Sequence, residues 1–173
     1  MAAGNTYEAI ATQTLSSSAA SVTFSSIPST YTDLILVCSV RDNTTGTAFS
    51  NVQFQYNGDT GSNYSWTEFN GYSTFTQSQR SSNTTGAWGG YMSSIAGIFT
   101  PMIIHIMNYS NTTTNKISLG RSNLGASSPN TNNYVEGIVS IWRNTAAINS
   151  IKLNGAISFA SGSTFSLYGI ASA

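Results

Sequence analysis

The end of the chain, Ile148–Ile170, constrains the fold more than any other stretch. It has the pattern of a strand pair, in which Ile148, Ile151 and Leu153 belong to the first strand and a glycine-containing turn precedes the second, with Phe165, Leu167, Tyr168 and Ile170. The closing strand is so rich in apolar residues that it needs partners from distant parts of the sequence. This pattern predicts a closed or two-layer β structure whose last strand completes the core.

Further strands follow from two kinds of hydrophobic pattern. Asn51–Tyr56 alternates apolar and polar residues, which is typical of a half-buried strand. Tyr31–Val40 is apolar at successive positions, which predicts a central strand covered on both faces, and Pro101–Tyr109 predicts a second central strand. About ten short strands follow at the spacing of sandwiches and barrels, so we expect a single-domain, all-β antiparallel sandwich.

Two more strands are predicted from apolar residues that recur on one face. Lys116–Ser122 places Ile117 and Leu119 on the same face. Tyr134–Arg143 places Val135, Val139 and Ile141 on the face opposite Ser140 and Trp142.

Glycine, asparagine and hydroxyl residues predict the connections. Asn57-Gly58 and Asn70-Gly71 favour tight turns. Gln77–Gly90 reads as a long polar loop that carries Trp88, either as an exposed contact or folded back onto its own core. Tyr91–Phe99 reads as the next strand.

The composition argues against several classes of function. Only 7% of residues are charged, six basic and six acidic, so a basic surface for nucleic acid is not expected. No apolar run has the length of a membrane span. Polarity comes instead from 29 serines, 22 threonines and 17 asparagines.

The 173 residues suit one domain. We expect residues 1–6 to form a flexible polar arm and residues 7–173 a single β domain. The first residues lack the basic and apolar segments of a signal peptide.

No pattern indicates catalysis, so we expect no enzyme, no cofactor and no metal site. Cys38 and His105 both lie in apolar runs, where a buried thiol and a satisfied histidine are the expected roles. Asp59 and Glu68 flank an aromatic strand, the nearest approach to a glycosidase pair, but their spacing is not diagnostic.

Three segments together resemble short structural proteins of tailed-bacteriophage virions, which are described as decoration or tail-fibre proteins. The segments are IPSTYTDLILVCSVR (27–41), FQYNGDTGSNYSW (54–66) and SIKLNGAISFASGSTFSLYGI (150–170), and the SxFSLYGI ending is the most specific part. The resemblance spans about Tyr7 to Ile170. It implies a jelly-roll-like fold and a place on the virion surface after synthesis in the host cytoplasm.

The compact length favours a capsid decoration, or cement, protein over a stand-alone fibre. Within that resemblance the expected partners are other copies of the chain, as a homotrimer, and the major capsid protein. Binding the assembled shell but not free subunits would stabilise the shell by mass action.

The alternative is a tail-fibre or receptor-binding tip that recognises a host surface glycan. The candidate contacts, for an interface or for a glycan, are the aromatic residues Tyr64, Trp66, Trp88 and Tyr91.

Overall fold

A computed structural model describes residues 6–46, 49–72, 74–125 and 133–171. These ranges contain strands and connections but no helix. The strands are β1 (Tyr7–Thr14), β2 (Ala19–Phe24), β3 (Asp33–Val40), β4 (Phe49–Tyr56), β5 (Tyr64–Tyr72), β6 (Phe75–Thr84), β7 (Ala87–Ser93), β8 (Thr100–Met107), β9 (Lys116–Leu124), β10 (Tyr134–Trp142), β11 (Ile151–Phe159) and β12 (Thr164–Ile170).

The strands form two antiparallel sheets of unequal size. The large sheet has eight strands in the order β1-β12-β3-β8-β9-β10-β5-β6, and the small sheet has four in the order β2-β11-β4-β7. One hydrophobic cluster includes residues from both sheets, such as Leu36 and Ile104 from the large sheet and Phe54 and Leu153 from the small one. The fold is therefore a β-sandwich, as predicted, whereas the jelly-roll topology stays a prediction.

The closing strand occupies a central position, as the sequence predicts. β12 lies between β1 and β3, and Leu167 pairs with Ala11 on one side and Leu36 on the other. The predicted hairpin between the last two strands is wrong, because β11 belongs to the small sheet. Both strands bury an apolar face in the same core, so they meet across it, with the rings of Phe159 and Phe165 5.0 Å apart.

β3 and β8 are neighbours inside the large sheet, which confirms that both are central. The prediction that β3 is covered on both faces is wrong. Leu34 and Leu36 are fully buried, but Val37 on the opposite face is 37% exposed. The small sheet covers only one side of the large sheet, so the other side of β3 faces solvent.

The turn predictions were right at one site and wrong at the other. Asn57 and Gly58 both have positive φ, 53° and 69°, as a tight turn between β4 and β5 requires. At Asn70-Gly71 the chain continues as β5, because both residues pair with β10. The turn comes after Tyr72.

The predicted polar loop 77–90 is also wrong. It forms most of β6 and the first half of β7. β6 is an edge strand whose side chains are almost all exposed, so it has the composition of a loop. The strand predicted at 91–99 ends earlier, because β7 stops at Ser93.

The predicted arm lies outside the described residues except for Thr6. The carbonyl of Thr6 accepts a hydrogen bond from the amide of Ala171 at 3.1 Å, so the two ends of the described chain meet. Within the described ranges, no helix has the length and hydropathy to cross a bilayer.

Candidate functional site: an apolar outer face

The side chains of β9 have the reverse of the usual orientation. Lys116, Ser118 and Ser122 are buried between the sheets, whereas Ile117 and Leu119 are 43% and 46% exposed. The Lys116 ammonium remains hydrogen-bonded, since Nζ donates to the carbonyls of Thr114 and Thr145 at 2.7 and 3.0 Å. Polar residues thus occupy the interior side of this strand and apolar residues the solvent side.

The neighbouring strand shows the reversal in part. Glu136 and Ser140 of β10 are buried together with Ile138 and Trp142, whereas Val135 and Val139 are exposed. Burying polar groups and exposing branched apolar ones has a cost in both places. Exposed apolar residues on two adjacent strands make the solvent-facing side of the sheet a candidate binding surface.

Strand register brings these apolar side chains together. Val139 lies opposite Leu119, Leu119 opposite His105, and His105 opposite Ile35, which forms one row across four strands. In the next row, Val37 lies opposite Ile103. We call this surface the outer face; its members are Ile35, Val37, Phe69, Ile103, His105, Ile117, Leu119, Val135 and Val139.

Phe69 and Gly137 extend the outer face toward β5. A Cβ atom on Gly137 would come within 2.3 Å of Phe69 Cζ, so the ring lies directly over this glycine. Phe69 nevertheless remains 66% exposed. The pairing of a glycine with a large ring keeps an aromatic group flat against the sheet and open to solvent.

A groove of about 410 Å³ runs along the β3, β8 and β9 part of the outer face. Its walls include Val37, Ile103 and Leu119 as well as His105 and Arg121. His105 Nε2 lies 2.7 Å from Asp33 Oδ2, so the histidine is oriented by a carboxylate. The groove is mainly apolar, with the Arg121 side chain and the Asp33-bound His105 in its lining.

This arrangement is suited to binding rather than to chemistry. Exposed apolar patches on folded proteins mark surfaces that associate with other molecules. Cys38 lies on the opposite, buried face of β3 from the groove, so the sheet separates it from His105. Burial raises the pKa of the Cys38 thiol, which keeps it protonated and unreactive at neutral pH.

Two of the predicted contact residues do not reach the surface. Tyr64 is fully buried: its hydroxyl accepts a hydrogen bond from the Tyr56 amide and donates one to the Asp59 carbonyl, at 3.0 and 3.1 Å. Trp88 is also buried, so the reading in which it folds back onto its own core is confirmed.

The other two predicted residues, Trp66 and Tyr91, are only partly buried. Trp66 stacks on Trp88 with ring centroids 4.9 Å apart, and Tyr91 meets Trp88 edge-on at 5.3 Å. The structure therefore collects three of the four aromatics into one cluster, which lies between the sheets rather than on the outer face. A glycan contact for Trp66 and Tyr91 stays a prediction.

Asp59 and Glu68 have separate structural positions. Asp59 belongs to the turn after β4, where Oδ2 accepts hydrogen bonds from Trp142 Nε1 and Asn63 Nδ2 at 2.6 and 2.9 Å. Glu68 lies in the interior, four residues further along β5 than Tyr64. Both carboxylates accept hydrogen bonds from described residues, Asp59 in the turn and Glu68 in the interior.

The sequence contained the signal for the outer face but not its direction. Alternation in β9 and β10 shows which residues share a face. The usual rule for a half-buried strand then assigns the more apolar face to the core. Only the position of the small sheet shows that the apolar side of these strands faces outward.

The sequence matches no protein-family model, and no curated protein matches it. Among solved structures, the chain is similar to the crystal structure of a protein of unknown function from Shewanella oneidensis MR-1. The identity is 11%, the match covers 100% of this chain and 83% of that one, and the TM-score is 0.22. A likeness at this TM-score carries no argument about fold or function.

Proposed function

We propose that the chain is a structural protein of a bacteriophage virion, a capsid decoration protein that stabilises the assembled shell. The observation that carries the proposal is the outer face, on which apolar side chains of β3, β5, β9 and β10 are exposed and those of β8 are half-buried. The resemblance of the segments at 27–41, 54–66 and 150–170 to virion structural proteins supplies the biological setting.

The outer face is assigned to contact between copies of the chain, in a homotrimer. An apolar surface of this extent is poorly tolerated on a free monomer. The chain has no net charge, so copies do not repel each other as they approach. The polar arm at residues 1–6 is assigned to the shell, with the major capsid protein as partner.

Copy number in the purified virion tests the proposal. Quantitative mass spectrometry compares this chain with the major capsid protein. A decoration protein gives a ratio of about one to one, or another ratio set by icosahedral symmetry. A few copies per particle would overturn decoration and support the tail-fibre tip, whose glycan affinity could then be tested with Trp66→Ala.

The assignment of the outer face is tested by placing one charge on it. Val139→Asp on the outer face should convert trimers into monomers, because the interface would have to bury an unpaired carboxylate. Ile157→Asp is the matched control, since Ile157 is a similarly exposed apolar strand residue that lies on the small sheet.

Light scattering coupled to size-exclusion chromatography measures the mass of both variants and of the unmodified chain. We expect Ile157→Asp to remain trimeric. A trimeric Val139→Asp, or an unmodified chain that is monomeric at all concentrations, would refute the assignment.

A further inference from the structure

The inner side of the large sheet holds two carboxylates that the proposed function does not use. Glu68 on β5 and Glu136 on β10 are 0% and 1% exposed. Register places Glu136 opposite Asn70, and Asn70 follows Glu68 by two residues on the same face of β5. The three side chains therefore project from adjacent strands into one region between the sheets.

One oxygen of each carboxylate is fully engaged by donors. Glu68 Oε1 accepts hydrogen bonds from Asn70 Nδ2 at 2.9 Å and Gln79 Nε2 at 2.6 Å. Glu136 Oε2 accepts one from the Tyr91 amide at 3.1 Å and one from the Ser122 hydroxyl. These donors fix the orientation of the two carboxylates.

The remaining oxygens have no partner. Glu68 Oε2, Glu136 Oε1 and the amide oxygen Asn70 Oδ1 are buried, and none has a hydrogen bond to a described residue. Buried polar atoms are almost always satisfied, so three unpaired acceptors on two adjacent strands need an explanation. The amide oxygen is independent of the acidic pair and belongs to a side chain that is 2% exposed.

Nor does the site have a positive side chain to balance it. Arg80 pairs with Thr67 and Arg121 with Gly137, so both arginines project from the outer face of the sheet. Among the described residues, neither carboxylate forms an ion pair. Desolvation, together with the charge of Glu68, raises the pKa of Glu136 to about 7. Two unbalanced buried carboxylates are unfavourable unless a cation joins them.

We propose that Glu68 Oε2, Asn70 Oδ1 and Glu136 Oε1 bind a calcium ion, with water completing its coordination. Carboxylate and amide oxygens are the ligands that calcium takes in proteins. No group of three or more His, Cys, Asp or Glu gathers within the described ranges, so the proposed site has only two carboxylates and its third protein ligand is the amide of Asn70. This site is independent of the outer face and of the virion assignment.

An ion has a route to this site. Gln79, which donates to Glu68, lies on the edge strand β6 and is exposed. β6 is the edge of the large sheet, so Glu68 lies one strand and Glu136 two strands from that edge. A buried water is the competing occupant, because the indole N–H groups of Trp66 and Trp88 are also unpartnered and could donate to it.

The test uses the full chain, freed of metal with EDTA at about pH 7.5, where competition from protons is reduced. Calcium chloride is added in isothermal titration calorimetry and in thermal unfolding, with magnesium chloride in parallel. We expect one ion per chain, a rise in Tm of about 4 °C or more at saturation, and weaker binding of magnesium.

Two variants change the site without enlarging it. Glu136→Gln removes one charge and should weaken calcium binding at least about tenfold. Asn70→Asp adds a carboxylate at the third ligand and should strengthen it. Asp42→Asn is the matched control, since Asp42 is equally buried but its oxygens are engaged by Thr44 and Ser50, so its affinity for calcium should equal that of the unmodified chain.

Terbium luminescence gives a readout that does not depend on stability. Trp66 precedes Glu68 by two residues on the same face, which is close enough to sensitise a bound terbium ion. Added calcium should displace the terbium and reduce its luminescence. A folded chain that shows neither heat nor a Tm change with calcium would overturn the proposal and leave water or a shared proton at the site. If Glu136→Gln fails to fold, an unchanged affinity in Asn70→Asp would overturn it.

Discussion

At the scale of the residue, hydrogen-bond partners distinguish the buried acids from one another. Asp42 Oδ1 accepts hydrogen bonds from the Thr44 amide and hydroxyl, and Asp42 Oδ2 accepts one from the Ser50 hydroxyl at 2.8 Å. Glu136 is equally buried but has donors on one oxygen only. Asp42 therefore has donors on both carboxylate oxygens, whereas one oxygen of Glu136 has none.

This difference predicts a pH dependence of folding in metal-free buffer. Because burial holds the folded pKa of Glu136 at about 7, above its value of 4.5 in the unfolded chain, its contribution to stability is full below about pH 4.5. That contribution declines as pH rises through 7, by on the order of 3 kcal/mol. Urea unfolding at a series of pH values should show the decline in the unmodified chain.

The Glu136→Gln variant has no titrating group at this position. Its free energy of unfolding should therefore lack the part of the decline with pH that Glu136 causes. If the two stability profiles run parallel from pH 4.5 to 8, the assignment of the titration to Glu136 is wrong.

At the scale of the element, the central strands of the large sheet have two unequal faces. β3 shows this within consecutive residues, because Leu34 and Leu36 enter the core and Ile35 and Val37 face outward. Its apolar outward residues resemble core residues in composition. The strand therefore contributes both to folding and to the surface proposed for association.

Two adjacent substitutions in β3 should have opposite outcomes. Leu36→Asp should prevent folding, since it buries an unpaired charge at a cost of about 4 kcal/mol or more. Val37→Asp should change the free energy of unfolding by about 1 kcal/mol or less, because its side chain reaches solvent in the monomer. Circular dichroism and denaturant unfolding measure both. A cooperatively folded Leu36→Asp chain would contradict the assigned orientation of β3.

At the scale of the whole molecule, low charge and the apolar outer face both bear on how copies of the chain would associate. Only 7% of the residues are charged, and hydroxyl and amide groups account for most of the polar surface. Contacts between copies in the proposed trimer would therefore depend on burying apolar area and on hydrogen bonds. Long-range electrostatics contribute little to them.

The proposed trimer should accordingly be insensitive to salt. Raising sodium chloride from about 0.1 to about 1 M screens charges but does not weaken apolar contacts. Sedimentation velocity at both concentrations should give the same distribution of species. Dissociation at high salt would indicate an interface held by ion pairs instead.

Much of the fold could be predicted because it depends on local patterns. The positions of Val22, Phe24, Val52, Phe54 and Tyr56 follow from period-two alternation, and the turn at Asn57-Gly58 follows from backbone preference. The candidate site could not be predicted in this way. The aromatics chosen as contacts are large and apolar, and the structure places Tyr64 and Trp88 in the core for that reason.

The sequence by itself determined that the chain is an all-β domain with a central closing strand, because alternation and apolar runs act between neighbouring residues. The tertiary structure decided which face of each strand is inside, and that β11 and β12 lie in different sheets. Those outcomes depend on where the four-stranded sheet covers the eight-stranded one. Since coverage is set by contacts between residues far apart in sequence, the apolar side of β9 and β10 could be assigned to solvent only in the folded molecule.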